Sequence, residues 1–220
     1  MLKSRGGIRR AGADFPGAWR ETAFSLIEIL VVLAIGAILA TVSLTAFTQI
    51  GQSGALTKTG SGIVGILEQA RAYAVARNAP VWVGFSTGND DTLLVGVITS
   101  RNGDSQPATN EQAPLSRVRR FDRVKLVVLA EADGRPPVSD GAQLANLSSA
   151  IFPFSLGETS FTKWVVQFNS RGESRILSNQ AFKVTELGLQ QYSDGQIRNP
   201  QNHVAIQIGG LSGAVSLYRP

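Results

Sequence analysis

The sequence predicts an α+β fold, in which a long N-terminal helix, its first half a membrane span, packs on a mostly antiparallel β-sheet domain. Three observations predict it. From Phe24 to Phe47 the chain is apolar except for one charge, Glu28. From Gly51 to Arg77 apolar residues recur with a helical period. After Pro80 the period falls to two and hairpin turns appear. The expected organisation is a basic leader over 1–23, a transmembrane helix over 24–50, an amphipathic helix portion over 51–79 and an antiparallel β domain with long loops over 80–220.

The span comes first. Ile29 to Phe47 is 19 residues without a charge. At about 1.5 Å per helical residue it nearly crosses a hydrocarbon core of roughly 30 Å. Lys3, Arg5, Arg9, Arg10 and Arg20 lie on its N-terminal side, and the next charge after it is Lys58. That bias places Met1 to Ala23 in the cytoplasm and the bulk of the chain outside. A secretory signal peptide has a shorter apolar core, about 7 to 15 residues. Neither a plain signal anchor nor a buried soluble helix explains Glu28. A carboxylate just inside such a run costs on the order of 2.5–3.5 kcal/mol on insertion scales, so it needs a partner. A free α-amino group at Phe24 would be one, supplied by the same chain or a neighbour, and it exists only after cleavage of Ala23–Phe24.

In the next portion Leu56, Ile63, Leu67, Ala70 and Ala74 fall on one face, with Lys58, Glu68 and Arg71 off it. That face is expected to pack on a sheet. Glycines at 51, 54, 60, 62 and 65 predict a softer join near 51–62 between two helical portions. Asn78 followed by Pro80 is a stop signal.

Beyond it, Val81, Val83 and Phe85 alternate, and a Gly-Asn-Asp turn leads into LLVGVIT. Arg123 to Leu129 reads as a strand. Lys163 to Phe168, the turn at 169–172 and Ser174 to Leu177 read as a hairpin, as do Val204 to Ile208 and Ala214 to Tyr218. Trp82 and Trp164 sit in strand-like runs and are expected in the core or half-buried. Segments 100–116 and 131–160, rich in Asp, Gly, Pro and Ser, read as loops.

Composition narrows the chemistry. Hydrophobic residues make up 43% and charged residues 17%, which is not the balance of a disordered chain. The absence of cysteine excludes disulfides, thiolate metal sites and cysteine nucleophiles. Although the pI is near 10.0, most of the net +5 charge belongs to residues 1–23, so it reads as a topology signal. Gly60-Ser61-Gly62-Ile63-Val64-Gly65 fits G-x-G-x-x-G but lacks the preceding strand that a dinucleotide site needs. His203 is the one histidine and has no triad or metal partner in view. Asp90, Asp91, Asp104, Glu131, Asp133 and Asp140 lack the spacing of a calcium loop and read as solvated turn residues. Arg117, Arg119, Arg120, Arg123 and Lys125 form the one basic cluster after the span. They suit a solvated edge or a subunit contact better than phosphates. No catalytic residue, metal or cofactor is assigned, and the chain reads as a non-enzyme.

Ala23, then Phe24-Ser25-Leu26-Ile27-Glu28, then ILVVLAIGAILA behind a basic leader, resembles the type IV prepilins and type II secretion pseudopilins. The resemblance implies a pilin-like fold and cleavage between Ala23 and Phe24 by a prepilin peptidase. It also implies N-methylation of Phe24 and pairing of Glu28 with a neighbour's N-terminus during assembly. Partners would be the peptidase, other pilin-like subunits and inner-membrane lipid, with the C-terminal domain in the periplasm. Ala23 stands where such families usually carry Gly. Thr45 stands where many pilins carry Pro, so no proline kink is expected. Further on, LEQARAYAVARNAPVWVGF, VVQFNSRGES and the terminal SGAVSLYRP resemble the GspH/FimT minor pseudopilins, and more closely the Verru_Chthon cassette protein D type. The alternative is a DNA-binding minor pilin of a DNA-uptake machine. Members of that kind use a basic C-terminal region, and here the C-terminus holds only Arg198 and Arg219.

Overall fold

The computed structural model describes residues 25–88, 91–130, 135–138, 140–178, 180–193, 195–197 and 199–219, with the side chains of 42–53 outside that description. The chain falls into two compact units, 1–46 and 47–220. Leu26–Arg77 form one α-helix, α1. It runs through 51–62, where the sequence predicts a softer join. The neighbours of the glycines supply the reason. A Cβ on Gly60 would stand 3.0 Å from Leu217 and Val204, and one on Gly62 would stand 3.2 Å from Phe121. At these two positions close approach of helix to sheet offsets the cost of about 1 kcal/mol that a helical glycine carries; a Cβ on Gly54 or Gly65 would meet nothing. At its end Asn78 adopts φ 49, its N–H donates to the Val75 carbonyl (3.4 Å), and the Ala79 N–H donates to the Ala74 carbonyl (3.2 Å). This paired left-handed cap, with Pro80 behind it, stops the helix as expected.

Fourteen strands follow among the described residues: β1 Val81–Thr87, β2 Thr92–Ser100, β3 Gln112–Pro114, β4 Arg119–Asp122, β5 Val124–Val127, β6 Ala142–Gln143, β7 Phe154–Leu156, β8 Thr159–Phe161, β9 Trp164–Phe168, β10 Ser174–Arg175, β11 Val184–Ser193, β12 Gln196–Ile197, β13 His203–Gly209 and β14 Val215–Tyr218. One sheet runs β10-β9-β1-β2-β3, with β4 also on β2; a second runs β12-β11-β13-β14, with β5 and β6 on β11; β7 and β8 pair alone. Of the described pairings only β6 with β11 is parallel. The molecule is thus α+β with mostly antiparallel sheets, as the period change at Pro80 predicts.

The main core lies where the helix meets both sheets. Leu56, Ile63, Leu67, Ala70 and Ala74 are all buried there, so the face read from the helical period is the packed one. Val81, Val83 and Phe85 meet it from β1, and Leu187, Leu189, Val204 and Ile206 from the second sheet. Burying each large side chain contributes about 1.5–3 kcal/mol.

Both sheets are also covered on the face away from the helix. On the first, Trp82, Ile98 and Val165 form a second cluster with Phe152, Phe154 and Phe161. Gly84 and Gly96 sit directly opposite each other on β1 and β2. A Cβ on either would come within 2.7 Å of the Phe161 side chain. Two glycines therefore clear a slot that one phenylalanine fills. On the second sheet Gly188 faces Ala205, and Leu129 occupies the space a Cβ on Gly188 would take. Beside it lies a buried polar group. Arg135 Nε is 2.9 Å from Glu186 Oε2, and Gln207 Nε2 donates to that oxygen (3.0 Å) and to the Pro136 carbonyl (2.9 Å). The Gln143 side-chain amide closes the covering loop by bonding both the N–H (2.7 Å) and the carbonyl (2.6 Å) of Leu129.

Segments 100–116 and 131–160 therefore differ from their reading as plain loops. They supply β3, β6, β7 and β8 and two short 3-10 turns. Trp82 is fully buried and Trp164 half-buried, as expected.

Candidate assembly site

Glu28 lies in the first turn of α1. The Ser25 carbonyl accepts from the N–H of Glu28 (2.9 Å) and of Ile29 (3.2 Å). Ser25 and Glu28 thus stand at the spacing of a capping box. Neither side chain makes a hydrogen bond among the described residues. A carboxylate here is favoured by the positive end of the helix dipole, and it points into no protein pocket: Glu28 is exposed. Around it the apolar side chains are exposed on every side, from Leu26 at 80% to Leu33 at 67%. A helix that is apolar all round is built to be covered by something other than water. Ala23 and Phe24, the expected processing residues, lie outside the described residues.

Among the described residues no helix is long and apolar enough to cross a membrane. The described apolar stretch, Leu26 to Thr41, reaches about 24 Å at the helical rise. The expected span continues to Phe47, through residues whose side chains lie outside the description.

The basic cluster does not form one surface. Arg119 and Arg120 are neighbours on β4 and point to opposite faces of it. Arg123, with a left-handed backbone (φ 58), turns the chain from β4 into β5. Lys125 lies over the Tyr192 ring, 4.2 Å from its centroid, a contact that holds the ammonium against the second sheet. Arg117 is exposed. The sequence missed a feature beside this cluster, a groove of about 170 Å³ between α1 and the edge of the first sheet. Ile66, Ala70, Val97 and Leu115 line it, and Arg119 and Tyr73 stand at its mouth. It exists because β3 and β4 pair with separate parts of β2 while 115–118 bow away between them. No local residue signal announces such a break.

The remaining candidates resolve into structural roles. The G-x-G-x-x-G stretch lies within α1, where Gly60 and Gly62 permit packing. His203 opens β13, and its buried Nδ1 has no partner among the described residues. Asp91 accepts from the Gly195 N–H (3.4 Å) and Asp104 from the Gln106 N–H (3.2 Å). Lys183 donates to Asp140 at 2.6 Å. That hydrogen bond, and then the opposite charge, hold the Asp140 carboxyl below its usual range and push the Lys183 ammonium up. Asp90, Glu131 and Asp133 lie outside the described residues, as does Arg198. Among the described residues no group of three or more His, Cys, Asp or Glu stands ready to hold a metal ion.

Two family models match the chain. One, the prokaryotic N-terminal methylation motif, matches residues 20–44 and so takes in Glu28 and the exposed apolar helix. The other, type II transport protein GspH, matches residues 60–210, which include the groove, the first sheet and all of the second but β14. No curated protein and no solved structure matches.

Proposed function

The chain belongs to the type II transport protein GspH family, and from that premise we propose that it is a peptidase-processed, membrane-anchored minor subunit of a pilus-like secretion assembly. It is a prepilin-like pseudopilin carrying the N-methylation motif. The finer steps are our reading. A prepilin peptidase cuts between Ala23 and Phe24, and Phe24 is N-methylated. The helix from Phe24 to about residue 50 stays in the inner membrane, with the leader cytoplasmic and the β domain periplasmic. The chain acts as a structural subunit rather than an enzyme. The likeness to the Verru_Chthon cassette type rests on the residue motifs alone.

One observation carries this reading. A carboxylate, Glu28, stands in the first turn of a helix whose apolar side chains are exposed all round. Water does not favour that surface, and lipid does not favour the charge. A neighbour's α-amino group at Phe24, in a bilayer filled with similar helices, satisfies both.

The intact mass of the membrane-extracted protein, expressed with and without a prepilin peptidase, tests it. Loss of residues 1–23 with gain of one methyl group, only when the peptidase is present, is the expected result. An uncut chain would reduce the N-terminus to a signal anchor, and a cut near Ala46 would make the product a secreted domain. Glu28→Leu is expected to insert and be cut but not to co-assemble; normal assembly would sink the pairing. The DNA-uptake alternative draws on the basic cluster, and its division between two faces of β4 counts against it. It predicts salt-sensitive duplex binding by residues 51–220.

A further inference from the structure

The groove beside β4 combines an apolar floor with an unneutralised cation at its mouth. Its floor is Ile66 and Ala70 from α1 and Val97 from β2, all buried in the fold around it. The walls are backbone-built. β3 pairs with Ile98 to Ser100 and β4 with Thr92 to Val95, and between them the Leu115 N–H still donates to the Val97 carbonyl (2.9 Å). Val118 turns the other way, into the cluster behind the first sheet. The opening therefore does not depend on the rotamer of one mobile side chain.

Charge says what fits it. Arg119 shares the helix-side face of β4 with Phe121, is exposed, and makes no ion pair among the described residues. Tyr73, which also lines the groove, carries Arg77 over its ring, 5.9 Å from the centroid. Among the described residues no carboxylate lines the groove. Glu68 is engaged elsewhere, its Oε1 accepting from the Val215 N–H (3.2 Å). An occupant that suits both parts has an apolar side chain beside a carboxylate. The planar guanidinium can take a carboxylate with two parallel hydrogen bonds. A nucleic-acid backbone would satisfy the cation but leave the apolar floor wet, and Arg120 faces the wrong way to help.

Resting on the subunit reading above, we propose that this groove is a socket for a neighbouring pilin-like subunit, which sets an apolar side chain on Ile66, Ala70 and Val97 and an adjacent carboxylate on Arg119. Because the chain has no cysteine, Ser116→Cys places a single thiol in the groove wall. The full chain carrying it, expressed with the peptidase and its co-assembling subunits, is treated with a water-soluble maleimide. Labelling should be at least about tenfold slower in the assembled fraction than in the unassembled membrane pool, as for a desolvated contact. Arg119→Glu should cut the assembled fraction by a similar factor while cleavage, insertion and far-UV dichroism stay unchanged, and Arg119→Lys should recover part of it. Equal labelling in both pools, or normal assembly of Arg119→Glu, would overturn the socket and leave the subunit reading intact. Failure of the unmodified chain to enter any assembly would overturn both. Protection by duplex DNA instead of by subunits would replace the socket with a nucleic-acid contact.

Discussion

Segment 150–161 closes the outer face of the first sheet with Phe152, Phe154 and Phe161, whereas the described residues of 129–143 close the outer face of the second with Leu129 and the Arg135–Glu186 pair. Each lies over a pair of small residues on neighbouring central strands, Gly84 with Gly96 and Gly188 with Ala205. The steric device is shared, but the chemistry differs. The aromatic cover gains from area removed from water, and from ring contacts such as Phe154 with Phe161 at 4.8 Å between centroids. The polar cover removes two charges from water, and their attraction does little more than repay that loss. What the second cover adds is direction. Arg135 has one place to go, and the loop is held at one position on β11.

The largest expected effects separate the two. Phe161→Ala should destabilise the full chain in mild detergent by about 3–5 kcal/mol, read from its urea midpoint, because the slot between the glycines cannot collapse. Arg135→Ala should cost about as much, about 3–5 kcal/mol, by stranding a carboxylate with no exposure. The covers then diverge. Arg135→Met combined with Glu186→Leu should be neutral, or more stable than the parent by up to about 4 kcal/mol. If that double variant were as unstable as Arg135→Ala, the polar cover would be a source of stability and not only of position. Next in size is Gly84→Ala, expected to cost about 1–3 kcal/mol through overpacking against Phe161. Recovery of the loss in Gly84→Ala with Phe161→Leu would tie it to the slot.

The smallest effect concerns the exposed ion pair at the edge of the polar cover. Asp140 has a folded pKa below 3.8, so its contribution is present above that value and is lost as pH falls through the lowered one. Lys183 is raised above 10.5, so its contribution is present below that value and is lost as pH rises through the raised one. Asp140→Asn should therefore lower the urea midpoint only slightly, by a constant amount across neutral pH, and the difference should vanish in strong acid. A sizeable effect would conflict with the exposure of both side chains.

Legibility in the sequence follows the same division. Where one face is apolar and the other wet, the pattern is visible. The buried positions of α1 and the inward positions of β1 could be read from their spacing alone. The longest strand, β11, escaped notice although it centres the second sheet. Its outward positions Glu186 and Gln190 are buried but polar, so Val-Thr-Glu-Leu-Gly-Leu-Gln-Gln carries too weak an apolar signal. Segment 150–161 was hidden for the opposite reason. Its aromatic residues are few and set among Ser, Gly and Pro, and they matter only once two distant glycines make room. The N-terminal motif was legible because its chemistry is local: one acid in one apolar helix. The groove at Arg119 was not, because it arises from where two short strands leave a third.

The slot under Phe161 also acts as a gauge of alignment. With β1 and β2 in their observed register the two glycines coincide and the ring drops in. A slip of one residue would set Gly84 against Val95 or Val97, putting a branched side chain where the ring belongs and turning the apolar rows of one strand to the wrong face. The β7–β8 hairpin then has no seat. Docking of that hairpin is thus a built-in proof that the first two strands of the sheet have met in the right order, made by a segment some sixty residues downstream in the chain.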